Sequence, residues 1–294
     1  MANLKEIRVR IGTVNSTRQI TSAMKMVSAS KLRRAQDRIV QLRPYANKLK
    51  TIILDIVSTL TNIEDNPYIE KREAKKILLI AVTSNKGLCG GFNSSVVKEI
   101  IRLSNNDYKE QYDSKNLDLI CVGKKGYDLL KRKNFNIILT KNELFDDLSY
   151  NNISNFANDL ISYYTSKKYD RIDIIYNEFK NAAVQILSKE QFLPLEIETT
   201  DNAKSNNNID YIFDPEKEEI IKELIPKALK IQFYKSILDS NASENGARMT
   251  AMHKATDNAS GLLKDLKLQY NKARQASITK EILEIVGGAE ALKN

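Results

Sequence analysis

Residues 4–60 read LKEIRVRIGTVNSTRQITSAMKMVSASKLRRAQDRIVQLRPYANKLKTIILDIVSTL, and apolar residues recur in this stretch at alternating spacings of three and four. This spacing is typical of a coiled-coil helix. The repeat starts at Leu4, Ile7, Ile11 and Val14 and returns in the same phase at Leu32, Ala35, Ile39, Leu42, Ala46, Leu49, Ile53, Ile56 and Leu60. Pro44 falls inside the repeat and costs a helix about 3 kcal/mol. Because the phase survives Pro44, we expect a bend there and not a helix end.

A second stretch near the other end of the chain shows the same spacing. Its positions are Leu224, Ala228, Ile231, Leu238, Ala242, Met249, Met252, Ala259, Leu263, Leu266, Tyr270 and Ala273. Two such helices can bury their seams on each other as an antiparallel pair, each roughly 80 Å long at 1.5 Å per residue. We call this pair the shaft. Pro226 is expected in the first turn of the second helix, and Gly287-Gly288 is expected to end that helix.

The residues between the two long helices change period and predict an α/β domain. Apolar runs predict strands at 76–84, 117–122, 135–139, 171–179 and about 182–187, the last two as a possible hairpin, and helical patterns lie between the first four. This alternation favours a mostly parallel sheet covered on both faces. The predicted fold class is therefore α/β, a long antiparallel coiled coil plus a Rossmann-like domain. The predicted segments are residues 1–60, 74–205 and 215–288.

Charge is distributed unevenly along the 294 residues. The chain carries a net charge of +9, whereas residues 1–50 alone hold twelve basic and two acidic side chains, a net charge of +10. Three interpretations remain open: a solvated helix face, a surface for nucleic acid or anionic lipid, and a surface for an acidic protein. The apolar runs are too short for a transmembrane helix. Two cysteines are too few for a disulfide framework or a cysteine metal site, and they fit a reducing compartment.

Candidate catalytic chemistry is sparse. The turn at residues 85–93, NKGLCGGFN, follows a predicted strand and precedes a helix, where phosphate-binding loops lie. It matches neither the dinucleotide fingerprint nor the P-loop pattern, so a structural turn is favoured over a nucleotide site. His253 is the only histidine and has no triad partners at a recognisable spacing. These patterns indicate a chain without catalytic residues, bound metal or cofactor.

Two segments of the shaft depart from the simple repeat. Between residues 15 and 30 the seam positions are polar, namely Arg18, Thr21, Lys25 and Ser28, with Ile20, Met24 and Val27 beside them. Either the coiled coil is locally repacked or this stretch faces a second partner, and the pattern alone leaves both open. The end of the chain keeps an apolar helical face at Ile278, Ile282, Leu283, Ile285 and Val286. An unpaired apolar tip of this kind is expected to need an apolar socket.

Several long motifs resemble one known family. They are KEIRVRI, ITSAMKMVSASKLRRAQ and RPYA in the first helix, GLCGGFN in the middle, and ENGARMTAMHKATDNA and YNKARQASITKEILEIVGGAEAL in the last helix. These motifs occur in this order over the whole length of the chain. The chain thereby closely resembles the gamma subunits of bacterial F-type ATP synthases. The regulatory dithiol insertion of the chloroplast versions is absent.

The resemblance implies a central rotor that transmits torque and performs no bond chemistry. The implied partners are the alpha and beta subunits of the catalytic ring, the epsilon subunit and the membrane c-ring, with no nucleic acid and no cofactor. The implied location is peripheral, on the cytoplasmic side of the bacterial cell membrane. The alternative function is a basic coiled-coil scaffold whose α/β head binds nucleic acid or membrane.

The resemblance also implies particular contact residues. Arg274 and Gln275 match the pair that touches a catch loop on a catalytic subunit, and Thr279 and Glu281 match adjacent coupling positions. Met24 and Lys25 match the segment near the acidic moving lever of a catalytic subunit. Further expected contacts of the basic helix and its partner are Lys31, Arg33, Arg34 and Arg248.

Overall fold

A computed structural model describes residues 4–58, 67–70, 72–195 and 217–291. The helices are α1 (Leu4–Ser58), α2 (Phe92–Asn105), α3 (Lys109–Asp113), α4 (Lys124–Leu130), α5 (Tyr150–Thr165) and α6 (Lys217–Ala291), with short 3-10 turns at Lys131–Lys133 and Glu143–Phe145. The strands are β1 (Ile77–Val82), β2 (Leu117–Val122), β3 (Asn136–Thr140), β4 (Arg171–Phe179) and β5 (Gln185–Leu193). The predicted fold class, an antiparallel helix pair with an α/β domain, is confirmed.

Of the two long helices, only α6 differs from the expectation, and it does so at two points. Helix α1 continues through Pro44, as expected. Helix α6 also contains its proline, so the expectation that Pro226 occupies the first turn is wrong. Its neighbours Ile225 and Leu229 are fully buried, and this packing offsets the lost hydrogen bond. The expected helix end at Gly287-Gly288 is also wrong, because α6 continues to Ala291. Glycine lowers helix stability by only about 1 kcal/mol and does not by itself stop a helix.

The chain divides into two compact units, one formed by residues 1–29 and 248–294 and the other by residues 30–247. We call them the helical unit and the sheet unit. This division cuts both long helices and does not test the three predicted segments, which stay a proposal.

In the helical unit, α1 and α6 pack through the predicted seam. The buried side chains there are Ile7, Thr21 and Ser28 on α1 and Met252, Ala259, Leu263 and Leu266 on α6. The hydroxyls of Thr21 and Thr256 are hydrogen-bonded at 2.9 Å. Arg18 and Lys25 are half-buried at the remaining polar positions. The polar stretch therefore remains part of the seam, and its Thr21 hydroxyl pairs directly with Thr256 on the opposite helix.

In the sheet unit, the strand order is β3-β2-β1-β4-β5. Strands β1 to β4 are parallel, and β5 pairs antiparallel with β4 as the predicted hairpin. Ile80 of β1 lies between Ile120 of β2 and Ile174 of β4. One face of the sheet packs on α2 and the following Tyr108. The other face packs on α5, α1 and α6, so both faces are covered, as a parallel sheet requires.

The helices α1 and α6 also run antiparallel within the sheet unit. Arg43 of α1 bonds to Asp239 of α6. Later residues of α1, Leu49 and Ile53, share one apolar core with earlier residues of α6 such as Leu229. The two helices therefore run in opposite directions.

Asp239 is an unusual member of this core, because its side chain is fully buried. Its carboxylate Oδ1 accepts a hydrogen bond from Nη2 of Arg43 at 3.2 Å. Burial raises the pKa of Asp239 above its ordinary value, while the charges of Arg43 and Lys235 lower it and Glu178 adds to the rise. Burial is the larger effect, so the folded chain holds this proton more tightly than the unfolded chain does.

Replacement of this carboxyl should therefore change how stability depends on pH. The ionised form of Asp239 is disfavoured by folding, so its contribution to stability falls as the pH rises through the folded pKa. Asp239→Asn cannot ionise. We expect the melting temperature of the variant, minus that of the native chain, to rise as the pH increases from about 4, the ordinary pKa of an aspartate. A difference that falls over this range in thermal melts would contradict the assignment.

Candidate functional site

The turn at residues 85–93 bonds mainly to itself and its neighbours. The side-chain oxygen of Asn93 accepts a hydrogen bond from the backbone N–H of Ser84 at 2.9 Å, and its amide nitrogen donates to the Ser84 hydroxyl at 2.8 Å and to Sγ of Cys89 at 3.2 Å. The buried side chains at this turn are thus occupied with each other. This geometry supports the interpretation of a structural turn.

The remaining candidates for chemistry lie outside this turn, at Cys121 and His253. Burial raises the pKa of the Cys121 thiol to about 12, so the reactive thiolate is scarce at neutral pH. His253 lies exposed on α6 with Nδ1 2.8 Å from Oδ2 of Asp257, one turn away. Among the described residues, no cluster of three or more histidine, cysteine or acidic side chains could hold a metal ion. Within the same residues, no helix is both long and apolar enough to cross a membrane.

In the helical unit, the predicted contact residues form two separate groups. Met24 and Lys25 are half-buried on α1, one turn after Thr21. On α6, Arg274, Gln275, Thr279 and Glu281 are exposed. Thr256, which faces Thr21, and Arg274 are about 27 Å apart along α6 at 1.5 Å per residue. The structure therefore does not bring the two predicted groups together, and they form two surfaces along the helix pair.

The other basic positions lie on both units. Lys31, Arg33 and Arg34 of the sheet unit are exposed on α1, and the neighbouring Leu32 and Ala35 are buried in the seam. In the helical unit, Arg248 is half-buried on α6. The three α1 cations can therefore meet a partner without disturbing the packing of the shaft.

The structure also reveals exposed apolar residues around the polar seam. On α1 of the helical unit, Ile20 is 59% exposed and Val27 is 57% exposed. Sequence reasoning placed both beside the seam but left their role open. It missed Val9 and Met26, which are also largely exposed. Both could have been found from the sequence, because they are apolar residues outside the seam positions of the repeat. Exposed apolar residues favour a second partner here, while the burial of Thr21 and Ser28 keeps these two polar positions in the seam.

The apolar end of α6 is exposed, as predicted. Exposure rises from 44% at Ile278 to 71% at Ile285, and Ile282, Leu283 and Val286 lie between these values. In the described part of the chain, no residue covers this face. Five large aliphatic side chains within nine residues form an apolar surface, and such surfaces mark binding sites in folded proteins.

These features define a coiled-coil protein that also contains an α/β domain. The ATP synthase family profile matches residues 3–292 of the chain. The ATP synthase gamma chain of Christiangramia forsetii is 56% identical over 292 residues, which cover 99% of both chains. That of Cytophaga hutchinsonii is 54% identical over 295 residues, with all of both chains covered. The chain belongs to the family of ATP synthase gamma chains.

Solved structures agree with this assignment. A chain from the central stalk and c-ring of the Tetrahymena thermophila mitochondrial ATP synthase is 27% identical, with a TM-score of 0.59, 80% of this chain covered and 99% of that one. A chain from the OSCP, F1 and c-ring structure of the Euglena gracilis mitochondrial ATP synthase has a TM-score of 0.68 at 21% identity. The match covers 98% of this chain and 94% of that one and shows a similarity of fold. Neither the family nor these structures support the alternative of a scaffold that binds nucleic acid or membrane.

Proposed function

We propose that the chain is the central-stalk rotor of an F-type ATP synthase and transmits torque between a proton-driven membrane ring and the catalytic subunits. The observation that carries the proposal is the surface of the helical unit. Its seam is packed by its own two helices, yet apolar side chains on α1 and at the end of α6 are left exposed. A packed shaft with such surfaces is suited to turning inside a ring of partner subunits.

The mechanism needs contacts whose free energy changes with the angle of the shaft. A ligand or partner shifts a conformational equilibrium only by its difference in affinity for the two states. The exposed Arg274 and Gln275 are suited to bond with a catch loop on a catalytic subunit, with Thr279 and Glu281 as neighbouring contacts. Met24 and Lys25, one turn beyond Thr21, are suited to meet the moving lever. Because these surfaces lie on one asymmetric helix pair, each orientation would favour a different state of each catalytic site.

The proposed partners follow from the same role. They are the alpha and beta subunits around the shaft, and the epsilon subunit and c-ring at the membrane. We place the chain at the cytoplasmic side of the cell membrane as a peripheral subunit, and we assign it no catalytic residue and no cofactor. Affinity capture of the chain from its own cells should recover these subunits in fixed ratio. Recovery of nucleic acid in place of ATP synthase subunits would overturn the proposal.

The basic face of α1 should act through electrostatic attraction to an acidic partner. Replacing Lys25, Lys31, Arg33 and Arg34 together by Ala removes four ion pairs, each worth about 0.2–1 kcal/mol at a surface. We expect affinity for the catalytic ring to fall about tenfold at low salt, and by less at high salt because screening already weakens the interaction. Binding of the labelled chain to purified rings measures both values.

The matched control removes the same number of charges from exposed positions of α6, namely Lys254, Lys264, Lys267 and Lys272. We expect a smaller loss from this control. An equal loss in both variants would show that only net charge matters. Unchanged ring affinity in the α1 variant at low salt would contradict the assigned contacts.

A further inference from the structure

The sheet unit has a crevice where many open α/β sheets bind ligands. The chain leaves β1 towards β2 and β3 on one side and later adds β4 on the other side of β1. Ligands of open α/β sheets bind at such a reversal, beyond the carboxyl ends of the strands. Here those ends are Val82 of β1 and Phe179 of β4.

Residues of the chain itself fill this crevice. The side-chain amide of Asn177 on β4 donates to the carbonyl oxygen of Phe92 at 3.0 Å and accepts from the Ser95 hydroxyl at 3.0 Å. Cys89 and Phe92 pack on Ala247 of α6, and all three are buried. The place of a ligand is thus taken by a turn, the start of α2 and one face of α6.

The α6 backbone comes unusually close to the β4–β5 turn. A Cβ atom placed on Gly246 would lie 3.1 Å from the carbonyl oxygen of Ala182 and 3.3 Å from its Cα atom. The turn is held by Asn181, whose side-chain oxygen accepts hydrogen bonds from the backbone N–H groups of Ala183 and Val184 at 3.0 and 2.8 Å. A rotation of α6 about its axis would bring a larger residue against this backbone, so the contact resists rotation.

Helix α1 is fixed at the same edge of the sheet. Nη2 of Arg43 donates to the carbonyl oxygen of Phe179 at 2.9 Å and to the buried carboxylate of Asp239 at 3.2 Å. One guanidinium therefore joins α1, the end of β4 and α6. The Arg43 side chain is 40% exposed, whereas that of Asp239 is fully buried, so removing the guanidinium would leave the buried carboxylate without its cation.

We propose that this edge of the sheet is a torsional clamp, in which Arg43, Asp239, Gly246 and Ala247 fix the long helices against the carboxyl ends of β1 and β4. The inference rests on the proposed rotor function. It assigns to these positioning residues the transfer of torque between the α/β sheet and the helices of the sheet unit. The crevice that serves ligand binding in similar sheets would here serve mechanical stiffness.

The test measures torsional stiffness in the assembled complex with the catalytic ring immobilised. A bead is attached through a biotinylated side chain placed at the exposed Lys133, and its angular fluctuations are recorded. The test variant is Arg43→Ala, which removes the guanidinium that bonds to Phe179 and Asp239. It should show an angular variance about twofold above wild type, because the link between α1, β4 and α6 is lost. Arg38→Ala, which removes a charge from an exposed position of α1, is the control and should keep the wild-type variance.

An Arg43→Ala complex as stiff as wild type, or an Arg38→Ala complex as soft as Arg43→Ala, would overturn the clamp. Gly246→Ala covers the case in which Arg43→Ala fails to assemble. Its added methyl group would meet the backbone of Ala182, so it should also raise the angular variance, and a variance equal to wild type would overturn the inference. A wild-type bead that never rotates with ATP would instead refute the proposed function itself.

Discussion

Gln275→Cys, joined by a disulfide to a cysteine in the facing catch loop of a catalytic subunit, is expected to stop ATP turnover, and reduction is expected to restore it. A contact that transmits torque to a catalytic subunit has to break and reform in every step of rotation. A charge-assisted bond of the neighbouring Arg274 contributes about 1.5–3 kcal/mol, which thermal motion can break, whereas a covalent bond persists. Oxidation and reduction of the same purified complex, with hydrolysis measured in both states, gives the comparison.

A second crosslink removes an ambiguity of the first. Gln275 is exposed near the end of α6, where one helix could swivel about the linked residue. Lys31 is exposed but sits beside the buried Leu32 and Ala35, so a swivel there would have to break the seam. We expect a disulfide from Lys31→Cys to a facing catalytic subunit to stop hydrolysis and synthesis completely. Full hydrolysis with this crosslink formed would contradict the account, whereas full hydrolysis with the Gln275 crosslink alone would indicate a local swivel.

Phe233→Ala is expected to cause the largest loss of stability. The Phe233 ring is fully buried on α6, and its centroid lies 5.6 Å from that of Phe156 on α5 and 5.9 Å from that of Phe192 on β5. Truncating such a ring leaves a cavity and costs about 3–5 kcal/mol. Urea unfolding of the isolated chain, followed by circular dichroism, should show a correspondingly lower midpoint.

The control is Val40→Ala on the outer face of α1, where the valine is 68% exposed. A surface change of this kind is expected to stay within about 0.5 kcal/mol. If both variants unfold at the same urea concentration, the packing around Phe233 does not hold the long helix to the sheet.

The apolar pattern of the sequence predicted two of the strands and the buried face of α1 correctly. The bounds of β2 and β4 match the sequence prediction, because apolar side chains, many of them β-branched or aromatic, predominate in both strands although each also contains an aspartate. The seam of α1 also follows its three-four repeat, and every seam position with a described side chain is buried or half-buried. The predicted end of α6 at Gly287 failed because glycine only weakens a helix.

Tertiary packing explains what periodicity missed. A seam repeat predicts one buried stripe, yet α6 buries Ser236, Ser240 and Ser243 together with Leu238 and Ala242. Here the helix contacts α1 and the sheet edge at the same time. The run of small residues that permits this close approach is visible in the sequence, but which backbone it meets depends on the folded sheet. In the same way, the family resemblance predicted contact residues but did not predict that those of the helical unit lie on two separate surfaces.

Rotation of the chain inside its complex tests the central claim most directly. A bead placed at Lys133, with the catalytic ring fixed to a surface, would report the angle of the chain during turnover. The account predicts stepwise rotation in one direction when ATP is hydrolysed, and in the opposite direction when a proton gradient drives synthesis. A chain that remains stationary while ATP is synthesised at the full rate would contradict it.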